Sequence, residues 1–254
     1  MDLNNKVIII TGASRGLGAA MARRFAARGC QLALIDLDVD ALSDTRASCE
    51  QAGAARVETY AANVAHEQEV VTTIDRIAQD FGALHGLVNN AGITRDAMML
   101  KFKDGQLVSK MTLDQWQAVI DVNLTGVFLC GREAAAKMIE LGCEGCIVNI
   151  SSISRHGNMG QANYSASKAG VQALAVVWAK EFARYGIRAA SVAPGFVATE
   201  LVMSMKPEAR EKITARVPAG RLGDPDEIAR TVEFIFDNDY VSGRCLDIDG
   251  ALRL

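Results

Sequence analysis

Apolar runs of strand length alternate along this chain with longer segments in which apolar residues recur at helical spacing. Strands are predicted at residues 6–11, 31–36, 56–61, 84–89, 145–151, 187–193 and 244–248. Helices are predicted near residues 16–28, 38–52, 65–81, 112–140, 163–185, 200–216 and 224–236. Several strands are apolar on both faces, which is typical of a parallel sheet covered by helices on both sides. The pattern therefore predicts an α/β fold in which about seven strands form a doubly wound parallel sheet, with residues 1–254 in a single domain.

The predicted helix 163–185 has a middle section, VQALAVVWA, that is apolar almost all round. A helix of this kind is buried on two sides, and the sheet covers only one of them. A second copy of the chain is the natural cover for the other side, so we expect a homo-oligomer, either a dimer or a tetramer. The alternative is an unusually apolar surface helix.

Composition narrows the possible partners and the compartment. The 254 residues carry a net charge of −3 and no long basic run, so neither nucleic acid nor a membrane is an expected partner. No signal peptide is recognisable in MDLNNKVIIITG, and no apolar run reaches the roughly 18–20 residues of a membrane helix. Six cysteines are scattered through apolar sequence, which indicates a reducing, cytoplasmic location. Cys143 and Cys146 form a C-x-x-C pair, but a zinc site needs two further ligands and none follows at a suitable spacing, so no metal is expected.

The first predicted strand runs directly into TGASRGLG, where three glycines follow the pattern G-x-x-x-G-x-G. Small residues allow a tight turn, and the helix that follows directs free N–H groups towards a pyrophosphate. An acid, Asp36, ends the next strand 18 residues after Gly18. A strand, a glycine loop, a helix and an acid in this order predict a dinucleotide site.

Asp36 also bears on which dinucleotide is bound. Its carboxylate is expected to accept hydrogen bonds from an adenosine ribose and to repel a 2′-phosphate. Asp38 and Asp40 add negative charge, and position 37 holds a leucine, Leu37, rather than a basic residue. Arg15 favours NADP(H) instead, because an arginine in the glycine loop can reach a 2′-phosphate. Because a carboxylate in contact with the phosphate outweighs one mobile arginine, we expect NAD(H) to be favoured over NADP(H).

Candidate chemistry follows later strands. Ser151 and Ser152 come at the end of one strand, and Tyr164 and Lys168 lie one turn apart on the same face of a predicted helix. That pairing is either surface decoration or an ammonium placed where it changes the acidity of a phenol. Other strand ends carry Asn90, Ala91, Gly92, Pro194, Gly195 and Thr199. In a doubly wound sheet such residues meet at the carboxyl ends of the strands, where ligands bind.

Taken together, TGASRGLG, NNAG, Asn123 within DVNLTG, the two serines, Tyr164-x-x-x-Lys168 and Pro194-Gly195 resemble the short-chain dehydrogenase/reductase family, in the expected order along nearly the whole chain. The stretches GQANYSASKAG, APGFVAT and VPAGRLGDPDEIA are most similar to its 3-oxoacyl-carrier-protein reductases and acetoacetyl-CoA reductases. The resemblance implies a Rossmann-type fold and an NAD(P)(H)-dependent oxidoreductase that acts on a ketone/secondary alcohol pair. The expected substrate is a 3-oxoacyl thioester on acyl carrier protein or coenzyme A.

The same resemblance implies a catalytic set of four residues. Tyr164 would protonate the carbonyl oxygen as hydride arrives, and Lys168 with the positive nicotinamide would lower the pKa of its hydroxyl from about 10. Ser152 would donate to the substrate oxygen, and Asn123 would hold a water that links Lys168 to solvent. The implied cofactor-binding set is Gly12, Ser14, Arg15, Gly16, Leu17, Gly18, Asp36, Asn63, Val64, Asn90, Ala91, Gly92, Tyr164, Lys168, Pro194, Gly195, Val197 and Thr199.

The chain departs from the family pattern in three places. Ser151 has the usual spacing of 13 residues before Tyr164 and Ser152 stands at 12, yet strand position favours Ser152 as the active serine. Asn63 occupies a position at which members of the family usually have an aspartate that hydrogen-bonds to the adenine. The segment 97–111 is longer than the corresponding loop of the 3-oxoacyl-carrier-protein reductases. The loops near 94–112 and 196–218 are expected to border the substrate cleft.

Two rival functions stay open from sequence alone. The first is an NAD-dependent dehydrogenase that oxidises a 3-hydroxyacyl-CoA, a steroid or a small alcohol, which Asp36 favours. The second is a non-catalytic dinucleotide-binding regulator. A regulator of that kind should have lost Tyr164 or Lys168, and both are present.

Overall fold

The computed structural model describes residues 1–253, except for the side chain of residue 201. Seven strands form one parallel sheet in the order β3-β2-β1-β4-β7-β8-β9. Their bounds are β1 Val7–Thr11, β2 Gln31–Asp36, β3 Arg56–Ala61, β4 Gly86–Asn89, β7 Gly145–Ile150, β8 Ile187–Pro194 and β9 Cys245–Ile248. The prediction of a doubly wound parallel sheet with about seven strands is confirmed.

Helices cover both faces of this sheet. Their bounds are α1 Gly16–Ala26, α2 Ser43–Ala52, α3 Glu67–Phe81, α4 Leu113–Ile120, α5 Gly126–Glu140, α6 Ala162–Glu181, α7 Glu200–Met203, α8 Pro207–Thr214 and α9 Pro225–Asp237. Alternation along β1 shows how the layers form. Ile8 and Ile10 pack in one core with apolar residues of α1, α2 and α9, whereas Val7 and Ile9 pack in a second core with α3, α5 and α6.

The sheet order reverses beside β1, whose neighbours are β2 on one side and β4 on the other. Helices leave in opposite directions at such a point, so a crevice opens outside the carboxyl ends of the strands. The glycine loop after β1, the acid that ends β2 and the segment after β4 all lie at this edge. The fold therefore gathers the predicted site residues.

Two predicted helices are interrupted. The helix predicted at 112–140 is α4 and α5 joined by a π-helical turn over Asp121–Thr125. The helix predicted at 200–216 is α7 and α8, separated at 204–206. Pro207 opens α8, and it holds Lys206 in an extended conformation with ψ of 140°, because a residue before proline avoids the helical region.

Residues 97–111 were expected to form a loop, and that expectation is wrong. They contain an antiparallel hairpin of β5 Leu100–Lys103 and β6 Gln106–Lys110, which forms a separate two-stranded sheet. Asp104 and Gly105 make the turn with φ of 50° and 76°. Positive φ at both central residues defines the type I′ turn that suits the twist of a two-residue hairpin.

No helix within residues 1–253 combines the length and the apolar character that crossing a membrane requires.

Candidate active site

The loop between β1 and α1 lies close against the segment that follows β4. Gly12 and Gly16 have φ of +63° and +58°, which favours glycine. A Cβ on Gly12 would lie 2.9 Å from Ala91 Cα, and a Cβ on Gly18 would lie 2.9 Å from Ala13 Cα. Helix α1 begins at Gly16 without a side-chain cap, so its first N–H groups are available to an anion. Leu17, the residue between the last two glycines, packs against the core. This cradle fits the pyrophosphate of a dinucleotide.

Asp36 faces the glycine loop from the end of β2. Its Oδ2 accepts a hydrogen bond from the Ser14 N–H at 3.0 Å, and its Oδ1 accepts one from the Leu37 N–H at 2.8 Å. Arg15 is exposed and forms no ion pair with any residue of the described chain. The Asp36 carboxylate is therefore fixed at the place expected for a ribose, whereas no ion pair within the described chain fixes the Arg15 side chain.

Asn90 and Thr11 clamp the segment after β4 onto the glycine loop. Thr11 Oγ1 accepts hydrogen bonds from the N–H groups of Asn90 and Ala91 at 3.0 and 3.1 Å. The Asn90 amide donates to the carbonyl oxygens of Thr11 and Gly12 at 3.0 and 2.9 Å. The Asn90 side chain therefore holds the segment after β4 against the glycine loop through the main chain.

Asn63 and Val64 follow β3, one strand beyond Asp36. Asn63 Oδ1 accepts from the Ala65 N–H at 3.0 Å, and the Asn63 N–H donates to Glu69 at 2.8 Å. Val64 is buried, and a Cβ on Gly126 would lie 2.9 Å from its Cγ2. The amide oxygen of Asn63 is thus engaged in a turn, so the adenine contact expected of this residue stays a prediction that depends on its amide nitrogen.

Pro194 is the last residue of β8, and Gly195 follows against the turn after β9. The Gly195 N–H donates to Ile248 O at 2.9 Å. A Cβ on Gly195 would lie 2.8 Å from Asp249 Cα, so this close approach requires glycine.

The segment after β8 folds over the glycine loop. Val197 is buried and pairs with Gly223. Thr199 precedes α7, and its Cγ2 lies 3.7 Å from the position of a Cβ on Gly16. Glu200 reaches the same position at 3.6 Å through Oε2. The sequence analysis did not single out Glu200, since only the fold brings it to the glycine loop.

Ser151 and Ser152 at the end of β7 have different partners. The Ser151 hydroxyl donates to Lys168 O at 2.7 Å and so ties α6 to the sheet. The Ser152 hydroxyl accepts from the Ser154 N–H at 3.1 Å, and it lies close enough to the Tyr164 hydroxyl to lower the pKa of that group. Of the two serines, Ser152 is the one that the structure brings to the tyrosine.

Lys168 lies under the Tyr164 ring, with its Nζ 5.6 Å from the ring centre. The side chain is buried, and Nζ donates to Ile150 O at 2.7 Å. A Cβ on Gly92 would lie 3.3 Å from Asn123 Oδ1 and 3.6 Å from Nζ, so Gly92 lies between these two side chains. Tyrosine, lysine and serine therefore form one cluster at the carboxyl end of β7.

Burial dominates the electrostatics of this cluster, and the lowering of the Tyr164 pKa expected from Lys168 together with a bound nicotinamide stays a prediction. Burial raises the pKa of the Tyr164 hydroxyl, the hydrogen bond from Ser152 opposes that shift, and Asp96 adds to it. Burial lowers the pKa of Lys168 to about 8. The protein's own groups thus raise rather than lower the pKa of the phenol, because desolvation of the phenolate outweighs the hydrogen bond. Tyr164 is protonated at neutral pH.

Asn123 is fully buried in the π-helical turn between α4 and α5. Its Oδ1 accepts from the Ile93 N–H at 2.8 Å, and its Nδ2 donates to Ile93 O at 2.9 Å. Its side chain therefore fixes the segment after β4 beside Lys168. The water expected at Asn123 stays a prediction, because these contacts are to the main chain.

Arg155 is a neighbour of the site that sequence reasoning missed. Its side chain is buried, donates to Ser152 O at 3.2 Å and forms an ion pair with Asp247 Oδ1 on β9 at 2.5 Å. The partner lies 92 residues away along the chain, so no local pattern in the sequence announces this contact.

Comparison with known proteins decides the family. A family model described as enoyl-(acyl carrier protein) reductase matches residues 12–252. The 3-oxoacyl-(acyl-carrier-protein) reductase FabG of Thermotoga maritima is 38% identical over 255 residues, which cover 99% of both chains. The chain belongs to the short-chain dehydrogenase/reductase family.

Other members agree in fold and length. The acetoacetyl-CoA reductase of Synechocystis is 38% identical and covers 99% of this chain and 98% of its own. The (3R)-3-hydroxyacyl-CoA dehydrogenase of Homo sapiens is 36% identical and covers 98% and 96%. The crystal structure of a short-chain type dehydrogenase/reductase from Mycobacterium marinum superposes with a TM-score of 0.88 at 32% identity, over 98% of this chain and 96% of that one.

Membership confirms the predicted class of protein. The chain is an oxidoreductase that acts on a CH–OH group with a nicotinamide cofactor. The alternative of a non-catalytic regulator is not supported. The family does not by itself decide between NAD and NADP.

Proposed function

We propose that the protein reduces a 3-oxoacyl thioester, carried by acyl carrier protein or coenzyme A, to the 3-hydroxyacyl thioester. The observation that carries this proposal is the cluster of the buried Tyr164 hydroxyl, the nearby Ser152 hydroxyl and Lys168, whose Nζ lies 5.6 Å from the tyrosine ring. The names of the relatives from Thermotoga maritima and Synechocystis support the thioester, since they describe 3-oxoacyl and acetoacetyl substrates.

The proposed roles follow from these contacts. Ser152 donates a hydrogen bond to the carbonyl oxygen and orients it towards Tyr164, which gives that oxygen its proton. The glycine loop would hold the pyrophosphate of the dinucleotide, whose nicotinamide would supply the hydride to the carbonyl carbon. Lys168 keeps two N–H donors beyond the bond to Ile150 O, and these can hold ribose hydroxyls. Asn123 positions the segment around Lys168.

The raised pKa of Tyr164 suits the reductive direction. A phenol whose pKa lies above its usual value is protonated at neutral pH, so it is ready to act as an acid. Lys168, with a pKa of about 8, gives up a proton more readily than an exposed lysine does and can return one to the phenolate.

We propose that NAD(H) is preferred to NADP(H). Asp36 is held by two main-chain N–H groups at the position of the ribose, and the neighbouring Leu37 is exposed and uncharged. A 2′-phosphate at this position would meet a fixed negative charge. The same feature supports the second candidate, an NAD-dependent 3-hydroxyacyl-CoA dehydrogenase that runs the reaction as an oxidation.

We further propose that the protein forms a homo-oligomer through α5 and α6 and acts in the cytoplasm. Phe128 on α5 and Val177 on α6 are 41% and 45% exposed, although both are apolar. Burial of such a surface against a second copy stabilises the assembly. The six free cysteines support a reducing compartment.

The function is tested by a turnover screen of the purified protein. The substrates are acetoacetyl-CoA, a 3-oxobutyryl carrier protein, a steroid ketone, a sugar and a small secondary alcohol, each with NADH or NADPH, or with the oxidised cofactor for the alcohol. We expect thioester reduction to have the highest kcat/KM. Turnover of the steroid or the alcohol without any thioester reduction would contradict it.

A further inference from the structure

The β5–β6 hairpin stands apart from the rest of the molecule. All nine residues of its two strands are exposed. An isolated two-stranded hairpin is marginally stable in water, even with a favourable turn such as Asp104-Gly105. This construction is typical of a segment that gains its remaining contacts from a partner.

The two faces of the hairpin differ in chemistry. Leu100 and Phe102 lie on one face of β5, because residues two apart on a strand share a side. Across the hairpin Phe102 pairs with Leu107 and Leu100 pairs with Lys110, with a register shift between Lys101 and Phe102, so this face combines three apolar side chains with one lysine. These three side chains are 55%, 60% and 50% exposed. Lys101 and Lys103 alternate with them and occupy the opposite face. An apolar surface of this kind with charged neighbours marks an interaction site.

The hairpin is also locally basic. Residues 97–111 contain three lysines, Lys101, Lys103 and Lys110, and a single acid, Asp104, in a chain whose net charge is −3. None of the three lysines forms an ion pair within the described chain. Their charges are therefore available to an acidic partner.

The base of the hairpin is fastened to the segment that precedes the catalytic tyrosine. Ala97 N–H donates to Gly160 O at 2.9 Å, and the Gln161 amide donates to Asp96 Oδ2 at 2.9 Å. Asn163, next to Tyr164, donates to Arg95 O at 3.0 Å. A molecule bound to the hairpin is thus placed beside the mouth of the active site.

We propose that the hairpin 100–110 is the docking surface for an acidic protein that carries the acyl thioester. The proposal rests on the proposed function and extends it, because it selects carrier protein over coenzyme A. Strands of this length extend about 15 Å, a scale that fits a protein surface better than a small ligand. A second copy of the chain fits poorly, since a two-fold contact between the apolar faces of two hairpins would bring two copies of Lys110 together.

The test uses the full-length protein in two altered forms. The first is the double variant Lys101→Glu/Lys103→Glu. The second replaces residues 100–110 with Asn-Gly, which is compatible with the fold because Met111 N–H already bonds to Met99 O at 3.2 Å. The matched control is Arg23→Glu/Arg184→Glu, which makes the same charge change at exposed sites without ion pairs in the described chain.

Three substrates separate the possible causes: a 3-oxobutyryl carrier protein, acetoacetyl-CoA and the uncharged N-acetylcysteamine thioester. We expect KM for the carrier substrate to rise about tenfold or more in both hairpin variants, a size typical of lost charge pairs at an interface. Reduction of the other two thioesters should keep its wild-type kcat/KM, as should the control variant with all three. Calorimetric titration with unloaded carrier protein should show the same weakening without any turnover.

Several outcomes would overturn the docking proposal. These are an unchanged KM for the carrier substrate, an equal rise with acetoacetyl-CoA, an equal loss with the small thioester, or an equal effect of the control variant. A change of oligomeric state in sedimentation would assign the hairpin to self-association instead. Failure of the wild-type protein to reduce any thioester contradicts the proposed function, whereas the titration still decides the docking.

Discussion

Lys168 holds its ammonium 5.6 Å from the centre of the Tyr164 ring, and it does so while donating to Ile150 O rather than to the phenol. The pair is therefore two separately placed groups and not a hydrogen-bonded couple. Burial moves both towards neutrality, since it raises the pKa of the tyrosine and lowers that of the lysine to about 8. This arrangement supplies a phenolic acid with a proton source close to it.

The two serines at the end of β7 should separate cleanly by mutation. Ser152→Ala removes a donor to the carbonyl oxygen, so we expect kcat to fall about 10²-fold or more. It also removes the acceptor of the Ser154 N–H, so it should cost about 1 kcal/mol of unfolding free energy as well. Ser151→Ala removes the bond to Lys168 O, so it should cost about 1 kcal/mol of unfolding free energy with little loss of kcat. Steady-state kinetics and urea unfolding check both variants. Loss of turnover in Ser151→Ala alone would reverse the assignment.

Cofactor preference should follow Asp36. In Asp36→Ala the fixed charge at the ribose is gone, so the ratio of kcat/KM with NADPH to that with NADH should rise about tenfold or more, as expected when a repelling charge is removed. The matched control is Asp38→Ala, which removes an exposed, solvent-screened carboxylate two residues away and should raise the ratio much less than Asp36→Ala does. Equal ratios in the wild type and both variants would show that Asp36 does not determine the preference between NADH and NADPH.

Stability should depend on pH through Lys168. Its pKa in the folded protein, about 8, lies below the value near 10.5 of an exposed lysine, so the unfolded chain binds more protons between these values. The cost of the buried charge is full below pH 8 and falls as the pH rises. Relative to Lys168→Met, the wild type should gain about 2–3 kcal/mol of unfolding free energy between pH 7 and pH 10.

Urea unfolding at several pH values measures this gain. Lys180→Met on the same helix alters an exposed lysine and should give a flat difference from the wild type. A flat difference for Lys168→Met as well would mean that the buried lysine titrates normally.

The sheet could be read from the sequence because buried parallel strands are continuous apolar runs. The prediction of 187–193 for β8 differs from Ile187–Pro194 by one residue. The hairpin was missed for the opposite reason. Its strands, LKFK and QLVSK, bury no face, although Asp104-Gly105 between alternating residues is a strong hairpin signal.

The sequence indicated that the candidate site residues lie at one edge of the sheet, but it did not give their contacts. Motif order indicated Tyr164 and Lys168, and strand position indicated Ser152, whereas the partners of Ser151 and Ser152 depend on how β7 meets α6. The π-helical turn at Asn123 has no local sequence signal. The sign of the shift at Tyr164 depends on burial by the whole fold, which sequence spacing does not report.

The most direct test of the account is a single measurement on Tyr164→Phe, with kcat determined alongside cofactor affinity. Loss of the hydroxyl removes the proposed acid without removing the ring, so kcat should fall by about 10³-fold or more while NADH binds with nearly its wild-type affinity. Near-normal turnover by this variant would contradict the claim that the phenol beside Lys168 delivers the proton.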